Sequence, residues 1–255
     1  MEISIALLGL FVGLLVGATG VGGASLLTPL LIIFGVNPSI AVGTDLLYNS
    51  VTKLFGTYQH FKQKTIDWKM VKYFAYGSLP GAVIAVGSLQ IFEDQSQIIK
   101  HTLGVVLVLV ALTTLLKSFF QNRIKDNRIQ EKPLEQKIVM TIAIGFVLGF
   151  IVGLTSIGSG SMYAIVMLLL YRLAPSKIVG TDIAHAFLLV TVAGLLHAGL
   201  GNVDYGLALN LMLGSIPGVL LGSVLAVKLP ARPLRTLMAI LILISGWKMI
   251  GWNIF

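Results

Sequence analysis

Ten apolar tracts fill most of the chain, at approximately residues 3–18, 24–36, 40–60, 70–91 and 98–119, then 138–153, 160–173, 178–200, 206–228 and 234–250. A helix that crosses a bilayer needs roughly 20 apolar residues, and several of these tracts reach that length. Charge is correspondingly scarce. Only 11% of the 255 residues are charged, 18 basic and 10 acidic, where an ordinary soluble domain carries about a quarter. Eight of these charges lie between Arg123 and Lys137 and five more between Lys62 and Lys72, leaving too few elsewhere to cover a soluble surface. The fold class expected is an all-α polytopic membrane protein, which excludes a soluble globular enzyme.

The net charge of +8 would suggest nucleic acid in a soluble protein. In a membrane protein basic residues collect in cytoplasmic loops, so no nucleic-acid partner is expected. The chain has no cysteine, which excludes disulfides and thiolate metal sites. Its four histidines show no metal-ligand spacing and no nucleophile elbow is present; neither a cofactor nor an enzymatic activity is expected. The start, Met1-Glu2-Ile3-Ser4, lacks the basic region of a signal peptide, so the first tract is read as an uncleaved membrane segment. Nothing in the sequence indicates an oligomeric state.

The tracts form two related sets of five. An offset of 136 residues pairs Gly9, Gly13, Gly17, Thr19, Gly22 and Ser25 with Gly145, Gly149, Gly153, Thr155, Gly158 and Ser161. One residue is then inserted. An offset of 137 pairs Pro38, Gly43, Thr44 and Asp45 with Pro175, Gly180, Thr181 and Asp182, and His60, Asp67, Gly77, Ser78, Pro80 and Gly81 with His197, Asp204, Gly214, Ser215, Pro217 and Gly218. The identities fall on glycine, proline, aspartate and histidine rather than on interchangeable aliphatics, which reads as an internal duplication. Residues 1–120 form a first membrane repeat, 121–137 a charged linker and 138–255 a second repeat.

The basic residues orient the two repeats. Fifteen of the 18 fall on one side if the 121–137 linker is cytoplasmic, leaving Lys100 and Lys248 outside and Lys53 within a segment. The third and eighth segments then run in opposite directions, so the repeats are expected to be inverted. Segments one and two, and six and seven, become Gly-rich broken or re-entrant helix hairpins entering from opposite faces, with tips meeting near the midplane. The simpler alternative is ten fully spanning segments.

The tips read Gly17-Ala18-Thr19-Gly20-Val21-Gly22-Gly23-Ala24-Ser25 and Gly153-Leu154-Thr155-Ser156-Ile157-Gly158-Ser159-Gly160-Ser161. Small residues of this kind also serve plain helix packing. Here both tips carry hydroxyls at matching places, and each precedes a helix whose N-terminal N–H groups and dipole favour an anion. The candidate substrate-binding residues are Thr19, Gly20, Gly22, Gly23 and Ser25 with Thr155, Ser156, Gly158, Ser159 and Ser161. A small tetrahedral or pyramidal oxyanion suits such a site, since its oxygens accept many hydrogen bonds.

The run Gly20-Val21-Gly22-Gly23-Ala24-Ser25-Leu26-Leu27-Thr28-Pro29-Leu30-Leu31, with Gly35-Val36-Asn37-Pro38 and Ala41-Val42-Gly43-Thr44-Asp45, resembles the sulfite exporter TauE/SafE family. So do Val203-Asp204-Tyr205 and Leu213-Gly214-Ser215-Ile216-Pro217-Gly218. The resemblance covers nearly the whole chain outside the linker. It implies an inner-membrane protein of bacteria or archaea that moves sulfite, sulfonates or related sulfur-containing anions. Two departures stand out: Gly22-Gly23-Ala24 and Gly158-Ser159-Gly160 replace a fuller glycine triplet, and Asp45 and Asp182 stand where many members have serine.

Ionisable residues at membrane depth are costly and usually mark a pathway or a paired site. The third segment places Asp45, Tyr48, Asn49, Thr52, Lys53, Gly56 and His60 on one helical face. Lys53 is a candidate to attract the anion or to pair with Asp45 through Asn49; the bland alternative is snorkelling. Asp182 has His185 one turn beyond it, a candidate proton-exchanging pair, while an acid in a first helical turn is also favoured by the dipole alone. Asp45, Asn49, Lys53, Asp182 and His185 are therefore the coupling or gating candidates, with a proton or another ion as coupling partner. His60 and His197, near segment ends, are expected at the interfaces. The function expected is a secondary transporter for a small sulfur-containing anion. A passive anion channel, or an accessory subunit delivering a sulfur species to a partner enzyme, is the alternative.

Overall fold

The computed structural model describes residues 3–19, 24–91, 95–120, 128–131, 133–160, 162–226 and 231–251. Among them there is no strand. The helices are α1 (Ile3–Thr19), α2 (Ala24–Ile33), α3 (Pro38–Lys62), α4 (Trp68–Ser88), α5 (Gln95–Phe120), the short α6 (Arg128–Glu131), α7 (Ile138–Thr155), α8 (Met162–Leu170), α9 (Pro175–Gly199), α10 (Tyr205–Ala226) and α11 (Ala231–Ile250). The two sets of five tracts thus become α1–α5 and α7–α11. Four stretches of described residues are long and apolar enough to cross a bilayer: Trp68–Ile91, Leu134–Thr155, Pro175–Gly199 and Tyr205–Gly222. Leu209, Leu213, Ile216 and Leu220 line one face of α10 and are all more than half exposed. A continuous apolar face of that kind suits lipid rather than water. The chain is an integral membrane protein.

Local chemistry sets the helix ends, and does so twice. Pro38 and Pro175 open α3 and α9 at the first helical position, where a missing N–H costs nothing. Asp67 caps α4 by accepting from Met70 N at 3.1 Å, and Asp204 caps α10 by accepting from Leu207 N at 2.8 Å. α3 closes on Lys64 in the left-handed region (φ 55°) and α9 on the matching Gly201 (φ 74°).

The halves interlock rather than stand apart. α1 packs chiefly on α10, α4 on α7, α5 on α11 and α3 on α9. A Cβ at Gly13 would lie 2.4 Å from Ser215 O, and one at Gly149 would lie 2.2 Å from Ser78 O. At both helix pairs the backbones therefore touch, which only glycine permits. Gly56 faces Ile183 while Gly194 faces Leu46 and Leu47, so α3 and α9 run antiparallel.

The repeated Gly-Thr-Asp has a structural meaning at this seam. Gly43 admits Asn202 O against its backbone, and Gly180 admits Thr65 O. Thr44 Oγ1 then accepts from Asp204 N at 3.0 Å, and Thr181 Oγ1 from Asp67 N at 2.9 Å. Each half thereby holds the loop that leads into the other half's capped helix. Asp45 and Asp182 follow as the third residues of the motif, each seven residues into its helix.

Helices α2 and α8 are short, 10 and 9 residues, or about 15 Å at 1.5 Å per residue. α8 ends level with the start of α7: Lys137 Nζ donates to Leu170 O at 2.8 Å, and the Thr141 and Tyr171 hydroxyls are hydrogen-bonded. Gln130, from α6, donates to Leu168 O at 2.9 Å. Lys137, expected on a solvated linker, is buried, with its ammonium 4.3 Å from the Tyr171 ring centroid.

Candidate functional site

The turn from α7 to α8 begins at Ser156, a non-glycine residue with φ 61°. Holding a serine there costs of order 1 kcal/mol, and the side chain's partners offset it. Ser156 Oγ lies 2.7 Å from Asp45 Oδ2 and 2.8 Å from Thr28 Oγ1, and Thr28 Oγ1 lies 2.9 Å from the same Asp45 oxygen. The three oxygens form a closed ring. Asn49 Nδ2 donates to the other carboxyl oxygen, Asp45 Oδ1, at 2.9 Å, and to Asp45 O at 2.9 Å. Thr28, Asp45, Asn49 and Ser156 are all buried. The cluster joins α2 and α3 of the first half to the α7–α8 turn of the second.

Asp182, the matching acid on α9, is also buried, but its surroundings are different. Asn49 is matched by Ala186, and Thr28 by Ala164 or Ile165 across the one-residue insertion. His185 does not turn along the helix toward Asp182. Its Nε2 lies 2.8 Å from Ser78 Oγ on α4, and its ring packs against Tyr163 (centroids 4.3 Å) and Phe74 (5.7 Å), which also meet each other edge-on. Tyr48, the residue matching His185, meets Ser215, which matches Ser78. Lys53, half-buried on α3, lies within electrostatic reach of both Asp45 and Asp182. The α3–α9 seam thus carries two acids and a base within electrostatic reach of both.

The structure therefore brings Ser156, Asp45 and Asn49 together, with Lys53 beside them. Thr155 turns away: its hydroxyl donates to Ile151 O at 2.7 Å and accepts from Ile157 N at 3.3 Å, closing the end of α7. Ser25, Gly158 and Ser159 are buried at the helix breaks. Thr19 is the last residue of α1, while Gly20, Gly22, Gly23 and Ser161 lie outside the described residues. His197 is buried and not interfacial: its Nε2 donates to Gly153 O at 2.9 Å, satisfying a carbonyl in the last turn of α7. Thr28, Ser78 and Tyr163 enter the site without having been singled out for it from the sequence.

The profile of the sulfite exporter TauE/SafE family matches residues 5–249. The chain belongs to the sulfite exporter TauE/SafE family. A probable membrane transporter protein of Bacillus subtilis (strain 168), YjnA, is 60% identical over 254 residues, covering 98% of this chain and all of that protein. A second from the same organism, YunE, is 28% identical over 98% of each chain. A probable membrane transporter protein of Methanocaldococcus jannaschii is 28% identical over 83% of this chain and 77% of its own. No solved structure matches. The TauE/SafE chain is accordingly a membrane transporter and not an enzyme.

Proposed function

We propose that this chain is a secondary transporter that moves a small sulfur-containing anion, such as sulfite, thiosulfate or a sulfonate, across the inner membrane by alternating access. Residues 1–120 and 138–255 act as two inverted repeats, and the 121–137 linker is cytoplasmic. The antiparallel α3–α9 seam and the exchanged loops at Thr44 and Thr181 support the inversion. The short α2 and α8 are re-entrant helices whose N-termini flank the anion. The sites at the breaks are Thr19, Gly20, Gly22, Gly23 and Ser25 in one half and Thr155, Ser156, Gly158, Ser159 and Ser161 in the other. Lys53 supplies the attracting charge, and Asp45, Asn49, Asp182 and His185 carry coupling or gating.

The observation that carries this reading is the contact of Ser156 with Thr28 and Asp45. It ties a helix break of one half to a buried acid of the other, where a binding site between two moving units belongs. Buried hydroxyls at membrane depth, beside unwound backbone, are tolerated where they line a polar pathway.

The test is uptake by proteoliposomes of sulfite, thiosulfate, sulfate, sulfoacetate and taurine under an imposed pH gradient. Accumulation of one sulfur oxyanion above its external concentration is expected. Ser25→Ala with Ser156→Ala should weaken it at least tenfold. Strictly downhill flux identifies an anion channel instead, and binding without flux identifies a subunit that hands the anion to a partner.

A further inference from the structure

Three oxygens in a closed ring impose a count of hydrogens. Thr28 Oγ1, Ser156 Oγ and Asp45 Oδ2 are separated by 2.7, 2.8 and 2.9 Å. All three separations are hydrogen-bond lengths for O–H···O, so three hydrogens are needed. Each hydroxyl brings one. With both pointed at an ionised carboxylate, none is left between Thr28 and Ser156, and two oxygen lone pairs would face each other at 2.8 Å. The other carboxyl oxygen already accepts from Asn49, so the missing hydrogen belongs on Oδ2.

We infer that Asp45 carries a proton that closes the Thr28–Ser156–Asp45 ring, and that this carboxyl, not Asp182, takes up the coupling ion. The proton comes from a hydronium ion on the side to which the site opens, whose O–H bond breaks as the Asp45 Oδ2–H bond forms, and it is later given back to a water molecule on the opposite side. On its release that bond breaks, both hydroxyls turn to the carboxylate, and the Thr28–Ser156 contact loses its hydrogen. That contact joins α2 of one half to the α7–α8 turn of the other, so proton release loosens the seam between the halves. The same substitution pattern explains the choice of acid: Ala186 and Ala164 or Ile165 stand where Asn49 and Thr28 would have to be for an equal ring at Asp182.

The charged and titratable groups around the ring are few. Lys53 and Tyr48, on α3 itself, act electrostatically with Asp45. From α9, Asp182 and His185 act on Lys53, and from α8, Tyr163 acts with Asp182. α2, the 156–160 turn and α10 present hydroxyls (Thr28, Ser156 and Ser215), and the buried described side chains of α5 are apolar. Lys53 is thus the cation placed to take over Asp45 when the proton leaves.

The inference rests on the transporter reading only for what the proton drives, and its first test needs no substrate. Infrared difference spectra of the full chain in liposomes, between acid and alkaline pH and in H2O and D2O, should show a protonated-carboxyl band with a deuterium shift. Asp45→Asn should remove that band and Asp182→Asn should keep it. The two hydrogens of an asparagine amide reach both hydroxyls, and one hydroxyl donates to the other, so all three sides keep a hydrogen bond and the fold should survive, as checked by an unshifted thermal midpoint. Should Asp45→Asn fail to fold, Thr28→Val with Ser156→Ala is expected to move the band, since the carboxyl then loses both neighbours. A band unchanged in Asp45→Asn or in the double variant, or none in the wild type, overturns the inference. In proteoliposomes Asp45→Asn should lose at least tenfold in pH-driven sulfite accumulation. Absence of any sulfur-anion flux in the wild type, with the Asp45 band present, would sink the transport reading alone.

Discussion

Asp45 and Asp182 occupy matching places in two halves of one chain, each after Gly-Thr and each buried, yet their surroundings differ. Around Asp45 the carboxyl meets two hydroxyls and an amide from three pieces of chain. Around Asp182 the neighbouring histidine is hydrogen-bonded to Ser78 and packed at a tilt against two aromatic rings. What the halves share is the frame, made of glycine contacts, capping aspartates and crossed loops. What they do not share is the chemistry inside it. Duplication fixes how the backbones fit together, and the unmatched side chains decide what surrounds each buried acid.

The frame offers the hardest test of that division. Gly13→Leu and Gly149→Leu should each drive apart a helix pair in backbone contact, α1 from α10 and α4 from α7. Overpacking of this kind costs about 3 kcal/mol or more, and both variants should lose the monodisperse peak in detergent size-exclusion chromatography. Survival of one and loss of the other would break the equivalence of the frames.

The interiors should respond unequally. Asn49→Ala makes the first half like the second at that position and removes a donor from Asp45, a cost of about 2 kcal/mol, read as a lowered thermal midpoint. The reciprocal Ala186→Asn should bring no gain in stability; an equal and opposite shift would mean that Asp182 sits in the same environment after all. For Lys53, replacement by Met should raise the half-saturating sulfite concentration about tenfold, equivalent to about 1.4 kcal/mol. Placing a lysine at its counterpart, Val190→Lys, should not rescue that loss.

The smallest effect concerns the ends of α3 and α9. Lys64 holds a left-handed conformation that its counterpart Gly201 adopts freely. Lys64→Gly should therefore stabilise by about 1 kcal/mol and Gly201→Ala destabilise by a similar amount, measured by thermal unfolding followed through tryptophan fluorescence. Shifts in the same direction would show that the two helix ends are not the same motif.

Much of this frame was legible in the sequence because the repeat exposed it. Gly9, Gly13, Gly77 and Gly81 recur with their counterparts at fixed offsets, and each meets the other half's backbone. The Gly-Thr-Asp repeat likewise marked Asp45, although the role of its threonine, holding a capping loop, depends on which segments touch. Thr28 was hidden for a complementary reason. A search by repetition finds what both halves retain, whereas the second half has no hydroxyl at the place of Thr28. The i, i+3 spacing of Asp182 and His185 suggested a pair, but spacing along one helix does not tell which neighbouring helix competes for the ring. Ser78 does so. His197 looked terminal by position and proved interior because the end of α7 lies beside it.

The ring at Asp45 uses Ser156 from the second half, and its counterpart in the first half is Gly20, which has no hydroxyl, so among the described residues there is one such ring and not a pair. Under the proposed coupling through Asp45, that sets a stoichiometry. A cycle driven through this ring moves one proton per turnover, and its electrical response is the charge of the anion offset by one elementary charge. Carried together with that proton, a monoanion crosses without sensing the membrane voltage, while a dianion carries one net negative charge and feels about 2.3 kcal/mol for every 100 mV.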